Sequence, residues 1–282
     1  MHTFVDCYPC FLRQVLDICN FLGVEDETKK EILNDSMDIL QKLDMHLSPP
    51  EIAMQIHSMI KKRFNADDPY AELKAESTSR SLEIYPELKK LVDKSEDKLK
   101  TAVKISIAGN IIDFGPSSSF DIKSTIDDVF SRELLVFDIE QFRIALSKAK
   151  KILYLADNAG ETVFDRVLIE TMKKPIMYAV KSGPIVNDAT RDDAEVAGIG
   201  QVAEIIETGS DAPGTIFSEC SKYFLDVYSR ADLIIAKGQA NFETLTDEGS
   251  RVFFLLKVKC TVVSEHFGLP YKGYILKRGG RL

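Results

Sequence analysis

Apolar residues recur at three- and four-residue spacing through the first hundred positions, a pattern typical of helices with one buried face. Three successive helices are indicated by the apolar sets Phe11, Val15, Leu16, Cys19 and Leu22; Leu33, Met37, Leu40 and Leu43; and Ile52, Ile56, Met59 and Ile60. The third helix has a suitable start at Ser48-Pro49-Pro50-Glu51. Further helices are predicted over residues 71–91, with an interruption expected at Pro86, and over residues 97–107.

From about residue 150 the pattern changes to short apolar runs that alternate with helix-like segments. Strands are predicted at residues 151–156, 176–180, 202–207, 233–236 and 252–258, and helices at residues 162–172, 215–229 and 242–247. This alternation predicts an α/β fold with a mostly parallel sheet and helices on both faces.

Glycine follows the same division, since only Gly23 precedes Gly109 and the other fourteen glycines lie from Gly109 onward. The sequence therefore predicts a helical N-terminal subdomain, residues 1–108, followed by a Rossmann-like α/β domain, residues 109–282. The Ser-, Asp- and Gly-rich segment 109–132 is expected to connect the two parts.

Carboxylate and amide side chains follow two of the predicted strands. Asp157 and Asn158 come directly after the first, and Asn187 and Asp188 follow the second. Ligands bind at the carboxyl ends of the strands in an open α/β sheet, and hard oxygen ligands suit Mg²⁺ or Mn²⁺. Two neighbouring strand ends of this kind predict a metal site, although Asp-Asn after a strand is also an ordinary helix cap.

A third loop of interest begins at Lys237, which directly follows the predicted strand at residues 233–236 and precedes Gly238 and a helix start. An ammonium group beside a helix N-terminus is well placed to hold a phosphate. The alternative, that Lys237 only snorkels at the rim of the sheet, stays open from the residues alone. The chain carries neither a GxxxxGK[ST] loop nor a GxGxxG fingerprint, so the sequence gives no positive support for ATP or NAD binding.

Composition narrows the choice of partners and compartment. The formal net charge of −8 argues against a nucleic-acid partner, and no apolar stretch approaches the roughly 20 residues of a membrane span. The beginning of the sequence lacks the pattern of a secretory signal. Five cysteines are an odd number, which fits a reducing cytoplasm better than a disulfide scaffold.

Cys7 and Cys10 form a CxxC near the N-terminus, but the sequence has no second CxxC or HxxxH to complete a structural zinc site. Two interpretations therefore stay open: a metal or redox role, or partly buried thiols that pack at a helix start. We favour the second.

Six motifs occur together in one order, and their combination resembles the metal-dependent damage-control phosphatases, also called domain of unknown function 89, in their small prokaryotic and archaeal-type branch. The motifs are Cys7-Tyr8-Pro9-Cys10; Asp68-Pro69-Tyr70 with Lys74; Gly109-Asn110 with Asp113; Asp157-Asn158-Ala159-Gly160-Glu161; Gly183-Pro184 with Asn187-Asp188; and Lys237-Gly238-Gln239-Ala240-Asn241-Phe242-Glu243. No single motif is specific, but six in register over nearly the whole chain are.

The resemblance implies a helical subdomain joined to a Rossmann-like domain and activity on small phosphorylated metabolites. It implies that Asp157, Asn158 and Asp188 hold a divalent metal, Mg²⁺ or Mn²⁺ with Co²⁺ or Ni²⁺ also acceptable. Lys237 is similar to the phosphate-binding lysine of the family. Asn110 and Asp113 look like further residues of the substrate pocket.

Together with the residues, the resemblance implies a cytoplasmic metal-dependent phosphomonoesterase for sugar phosphates or damaged phosphometabolites. Asp157 is expected to act either as a metal ligand or as a nucleophile that attacks phosphorus. Lys74, near a proline-marked turn of the helical part, is expected to reach the substrate from above the sheet. The rivals are a carboxyl methyltransferase that uses S-adenosylmethionine and a non-enzymatic phosphometabolite-binding protein.

Overall fold

The computed structural model describes residues 1–64, 68–110 and 136–280. These residues form eleven α-helices: α1 Cys7–Phe21, α2 Asp26–Gln41, α3 Pro49–Phe64, α4 Ala71–Lys94, α5 Lys98–Gly109, α6 Ile139–Lys148, α7 Thr162–Met172, α8 Arg191–Val196, α9 Lys222–Arg230, α10 Gly238–Leu245 and α11 Thr261–Phe267. Short 3-10 turns lie at Ile199–Gln201 and Phe217–Glu219.

The same residues form a sheet of seven strands: β1 Val136–Phe137, β2 Ile152–Leu155, β3 Ile176–Val180, β4 Glu204–Glu207, β5 Leu233–Lys237, β6 Val252–Lys257 and β7 Tyr274–Arg278. The strand order is β1-β7-β6-β5-β2-β3-β4. The strands from β6 to β4 are parallel to one another, whereas β7 runs antiparallel to β6. The predicted class, α/β with a mostly parallel sheet, is confirmed.

Alternation along the central strands divides the sheet into two buried faces. In β2, Ile152 and Tyr154 belong to the apolar core on one face, and Leu153 and Leu155 belong to the core on the other. Helices α4, α5, α6 and α7 cover the first face, while α9, α10 and α11 cover the second. Because both faces are buried, these strands read as continuous apolar runs.

The first three helices, α1 to α3, pack around a separate core that includes Phe11, Val15, Ile32 and Ile56. Helices α4 and α5 contribute instead to the core of the sheet, for example through Leu88 and Ile105. The division at residue 108 stays a prediction, and this packing favours a helical cap made of α1 to α3 alone.

Local expectations fail where tertiary packing decides the outcome. Helix α4 runs unbroken through Pro86, and the helix predicted from residue 215 begins only at Lys222, after a 3-10 turn. Strand β7 was not predicted from the sequence. Across the parts of the chain that the structure describes, no helix is both long and apolar enough to cross a membrane.

Candidate functional site

The strand order places a topological switch point between β2 and β5. From β2 the chain proceeds to β3 and β4 on one side, and it returns to β5 on the other side. Crevices outside the carboxyl ends of such strands are the usual ligand sites of open α/β sheets. Asp157 lies two residues beyond β2, and Gly238 lies directly beyond β5, so the candidate metal loop occupies this crevice.

Main-chain hydrogen bonds join the two acidic loops. The Ala189 N–H donates to the Asp157 carbonyl at 2.8 Å, and the Ala159 N–H donates to the Asn187 carbonyl at 2.9 Å. Asn158 and Asp188 are paired across an antiparallel bridge. The structure therefore brings together all three predicted metal ligands, Asp157, Asn158 and Asp188, although they come from different strand ends.

Two amide side chains clamp a pair of carboxylates in the same crevice. Asn110 Nδ2 donates to Asp157 Oδ2 at 2.8 Å and to Glu161 Oε2 at 3.0 Å. Asn158 Nδ2 donates to the same two oxygens at 3.1 and 3.2 Å. The Lys257 N–H donates to Asn110 Oδ1 at 3.1 Å, which fixes that amide against β6.

The carboxylates of Asp157, Glu161 and Asp188 lie close together in a buried space. Burial and the nearby carboxylates of Glu161 and Asp188 raise the pKa of Asp157 well above its ordinary value. Burial raises the pKa of Asp188 to about 6, although Lys181 opposes the shift. Asp188 Oδ2 is buried without a hydrogen-bond partner in the described part of the chain, and its nearest cation, the Lys181 amine, is 3.7 Å away. A buried carboxylate oxygen of this kind requires compensation.

These donors fit a hard divalent cation. Two carboxylates and an amide oxygen match the ligands that Mg²⁺ and Mn²⁺ take. Because the Asn158 side-chain N–H groups donate to carboxylates, the atom that Asn158 would offer a metal is its amide oxygen. Among the described residues no group of three or more His, Cys, Asp or Glu side chains is arranged to hold a metal. A site built from two carboxylates and one asparagine is not a group of that composition.

The predicted phosphate contact, Lys237, is completely buried and does not line the cleft. Its amine lies 2.5 Å from Glu161 Oε1 and 2.5 Å from Asp165 Oδ1, and it donates to the Ser106 carbonyl at 3.0 Å. Burial alone would lower the pKa of Lys237, but the Asp165 and Glu161 carboxylates raise it. The lysine is a paired internal cation, which corrects the alternative that it snorkels at the rim.

Lys74, another predicted substrate residue, pairs with two carboxylates away from the cleft. Lys74 is buried, with its amine 2.6 Å from Asp68 Oδ2 and 2.9 Å from Asp193 Oδ2, so it ties α4 to the start of α8. It is not a cleft residue. Asp113 lies outside the described residues.

A cleft of about 310 Å³ opens above Asp157, Asn158 and Asp188. Its other walls come from the helical cap and from α10, including Cys7, Phe11, Pro50, Ala53, His57 and Glu243. A larger cavity of about 690 Å³ lies at the opposite edge of the sheet, beside Lys150, Ile176 and Glu204. We assign the site to the smaller cleft, because only that one contains the converging carboxylates and amides.

The CxxC cysteines also line this cleft, as does Cys260. Burial raises the pKa values of Cys7 and Cys10, which favours their protonated thiol forms. All five cysteines are free. Cys7 is buried at the start of α1 whereas Cys10 is exposed, and the packing role favoured for these thiols stays a prediction.

Sequence reasoning gave no role to Glu161 or Asp165, the two carboxylates that hold Lys237. A usable signal was present, since Asp157, Glu161 and Asp165 are spaced four residues apart. Such spacing places successive residues on one face of a helix and its entry turn. Acidic residues on the buried face of α7 are not in contact with water. This spacing would therefore have predicted a buried cation as their partner.

Comparisons with known proteins identify the family of this chain. The family model described as the damage-control phosphatase ARMT1-like domain matches residues 3–273. A damage-control phosphatase of Archaeoglobus fulgidus is 32% identical, with 96% of this chain and 97% of the relative covered. A damage-control phosphatase of Pyrococcus horikoshii is 31% identical, with 97% and 96% covered. A more distant relative with the same name, from Arabidopsis thaliana, is 22% identical over 71% of this chain and 64% of its own length.

The fold agrees as closely as the sequence. The crystal structure of a domain-of-unknown-function-89 protein from Pyrococcus horikoshii superposes with a TM-score of 0.91 at 30% identity, covering 99% of this chain and 100% of that one. This match includes both the helical cap and the sheet. The chain belongs to the damage-control phosphatase ARMT1-like family.

Proposed function

We propose that this chain is a metal-dependent phosphatase that hydrolyses phosphate monoesters of small metabolites in the cleft beneath the helical cap. The observation that carries the proposal is the convergence of Asp157, Asn158 and Asp188 at the switch point, where Asp188 Oδ2 is buried and has no hydrogen-bond partner among the described residues. The relatives named as damage-control phosphatases support the same reaction class.

The cation would be held by Asp157, Asn158 and Asp188, and we propose Mg²⁺ or Mn²⁺ because all three supply oxygen. Co²⁺ or Ni²⁺ would also be accepted by this donor set. When bound, such a cation neutralises charge on a phosphate oxygen and helps to position the attacking group.

The chain's own residues fix the orientation of the key carboxylate. Asn110 and Asn158 both donate to Asp157 Oδ2, so Asp157 Oδ1 accepts from neither amide. Asp157 Oδ1 would be the atom that either binds the metal or attacks phosphorus, the two roles expected from the sequence. Pre-set carboxylate orientation lowers the cost of reaching the reactive geometry.

The size of the cleft and its cover favour small substrates. A volume of about 310 Å³ lies at the low end of the range for small-molecule sites. Helices α1 and α3 form the roof, which would exclude bulk water from the reacting phosphate. We propose sugar phosphates or damaged phosphometabolites as the substrate class. The free cysteines are consistent with the cytoplasmic location that we propose.

Unlike a lysine whose amine is free to bind phosphate, Lys237 is already paired inside the protein. Its amine donates to Asp165 Oδ1 and to the Ser106 carbonyl, and it forms an ion pair with Glu161 Oε1. A direct contact with phosphate would therefore require Lys237 to release Glu161, Asp165 or the Ser106 carbonyl. We propose that Lys237 contributes positive potential to the site and that any phosphate contact involves such an exchange.

The test is phosphate release from an aryl phosphate ester after treatment with EDTA, with and without each divalent cation. We expect no turnover without metal and recovery with Mg²⁺ or Mn²⁺. Metal binding without turnover on any phosphate ester would favour a non-enzymatic binding protein. Transfer of a methyl group from S-adenosylmethionine without a metal requirement would favour the methyltransferase.

A further inference from the structure

The most completely hydrogen-bonded carboxylate near the site is Asp165, in the first turn of α7. It accepts hydrogen bonds from Ser106 Oγ at 2.9 Å, Tyr154 OH at 2.7 Å and Tyr178 OH at 2.8 Å, and from the Lys237 amine at 2.5 Å. These donors come from α5, β2, β3 and β5. Asp165 is fully buried and does not line the cleft.

Stability alone is a poor reason for this arrangement. A buried ion pair often gains little over well-packed apolar residues, because removing two charges from water offsets their attraction. A buried network of hydrogen bonds and ion pairs does, however, restrict the geometry of its members. The stacked rings of Tyr154 and Tyr178, with centroids 5.2 Å apart, add to that rigidity.

The network leads from Asp165 to the proposed metal site in three contacts. Asp165 holds the Lys237 amine, and the same amine lies 2.5 Å from Glu161 Oε1. The other oxygen of Glu161 accepts from the amides of Asn110 and Asn158. Those amides are the groups that also bind Asp157.

We infer that Asp165 is a positioning residue for the cation site. It fixes Lys237, which fixes Glu161, and Glu161 orients the two amides that hold Asp157 in place. The inference rests on the proposed function, since it concerns the same site. Asp165 contacts neither the cleft nor a proposed metal ligand, so its effect on the site is indirect, and the route through Lys237 is the one to be tested.

The test compares Asp165→Asn, Lys237→Met and the double variant. Mn²⁺ affinity is measured by calorimetry on metal-free protein, and kcat and KM are measured with an aryl phosphate at saturating metal. We expect Asp165→Asn to lower Mn²⁺ affinity and kcat by about 10-fold to 100-fold, the usual effect of removing a partner behind a metal ligand. KM should change by less than about 3-fold, because the substrate does not touch Asp165.

The double variant tests the route of the effect. If Asp165 acts through Lys237, adding Asp165→Asn to Lys237→Met should cause no further loss of Mn²⁺ affinity or kcat. Losses that multiply would overturn the inference, because they would mean that the two residues act independently.

Glu170→Gln is the matched control for a purely structural effect. Glu170 lies on the same helix, accepts from Tyr85 OH at 2.6 Å and lies 2.5 Å from the Lys89 amine, but it does not line the cleft. This variant should unfold at a lower temperature and keep wild-type Mn²⁺ affinity. An Asp165→Asn protein that behaves in the same way would overturn the inference.

A milder variant covers the case in which Asp165→Asn does not fold. Tyr178→Phe removes one donor to Asp165 Oδ2 and keeps the buried ring. We expect a loss of Mn²⁺ affinity of several-fold, and unchanged affinity would contradict the inference. A wild-type protein with neither metal binding nor phosphatase activity would overturn the proposed function itself, whereas an active wild type with a fully active Asp165→Asn variant would overturn only this inference.

Discussion

Gly238 offers a sharp test of the site because its backbone lies against the Asp157 carboxylate. Gly238 has a φ of +78°, and a Cβ added there would lie 2.0 Å from Asp157 Oδ2. Real Cβ atoms essentially never approach another atom within 3.0 Å, so Gly238→Ala must separate the two groups by at least a further 1.0 Å. Asp157 is held by Asn110 and Asn158, so the displacement disturbs the whole cluster.

Two separable effects follow from Gly238→Ala. The left-handed backbone conformation costs an alanine about 1–2 kcal/mol, which lowers the free energy of unfolding. Displacement of a reacting group by about 1 Å can reduce turnover by about 100-fold. We therefore expect a moderate loss of stability together with a large loss of kcat and at least a 10-fold loss of Mn²⁺ affinity.

Gly249→Ala separates these effects, because Gly249 has a φ of +81° and open space where a Cβ would lie. Urea unfolding should show a similar 1–2 kcal/mol loss for this variant, while calorimetry and turnover should give wild-type values. If Gly238→Ala bound Mn²⁺ and turned over substrate as well as Gly249→Ala, Asp157 could not be the ligand or nucleophile that we propose.

Two further predictions concern charge. Asp188→Asn should reduce Mn²⁺ affinity at least 10-fold. It should also raise the free energy of unfolding at pH 7 by roughly 1–3 kcal/mol, because a carboxylate with a pKa of about 6 is disfavoured in its charged form. Reduced stability with unchanged affinity would contradict this prediction. Burial lowers the pKa of His57 to about 4, so its contribution to stability is complete above pH 6.5 and is lost as the pH falls toward 4, by roughly 3 kcal/mol in total. His57→Gln should flatten that pH dependence in urea unfolding, whereas the exposed control His46→Gln should not, and a slope as steep as wild type would show that other groups cause it.

The sequence predicted the central strands well, because residues buried on both faces, such as Leu153 and Tyr154, leave an apolar run in the sequence. Strand β7 was missed since Tyr274, Ile275 and Leu276 form a short run beside basic residues, and only pairing with β6 and β1 makes it a strand. Pro86 lies within α4 because packing against the sheet core outweighs one lost hydrogen bond.

The candidate site was predictable in part for a similar reason. Asp157 and Asp188 follow strands whose order can be expected from α/β topology, so their approach to one another follows from the fold. The partners of Lys237 were not predictable, because they depend on how α7 lies against β2, β3 and β5. The role of Lys237 in phosphate binding stays a prediction, as do the metal-ligand roles of Asp157, Asn158 and Asp188.

The most direct test of the central claim is anomalous diffraction from a crystal of this protein soaked with Mn²⁺. We predict one strong peak in the cleft, at about 2.1 Å from oxygens of Asp157 and Asp188, and no such peak in the Asp157→Ala variant. A Mn²⁺ peak elsewhere, with none between Asp157 and Asp188, would contradict the proposal that these residues form the metal centre of the phosphatase.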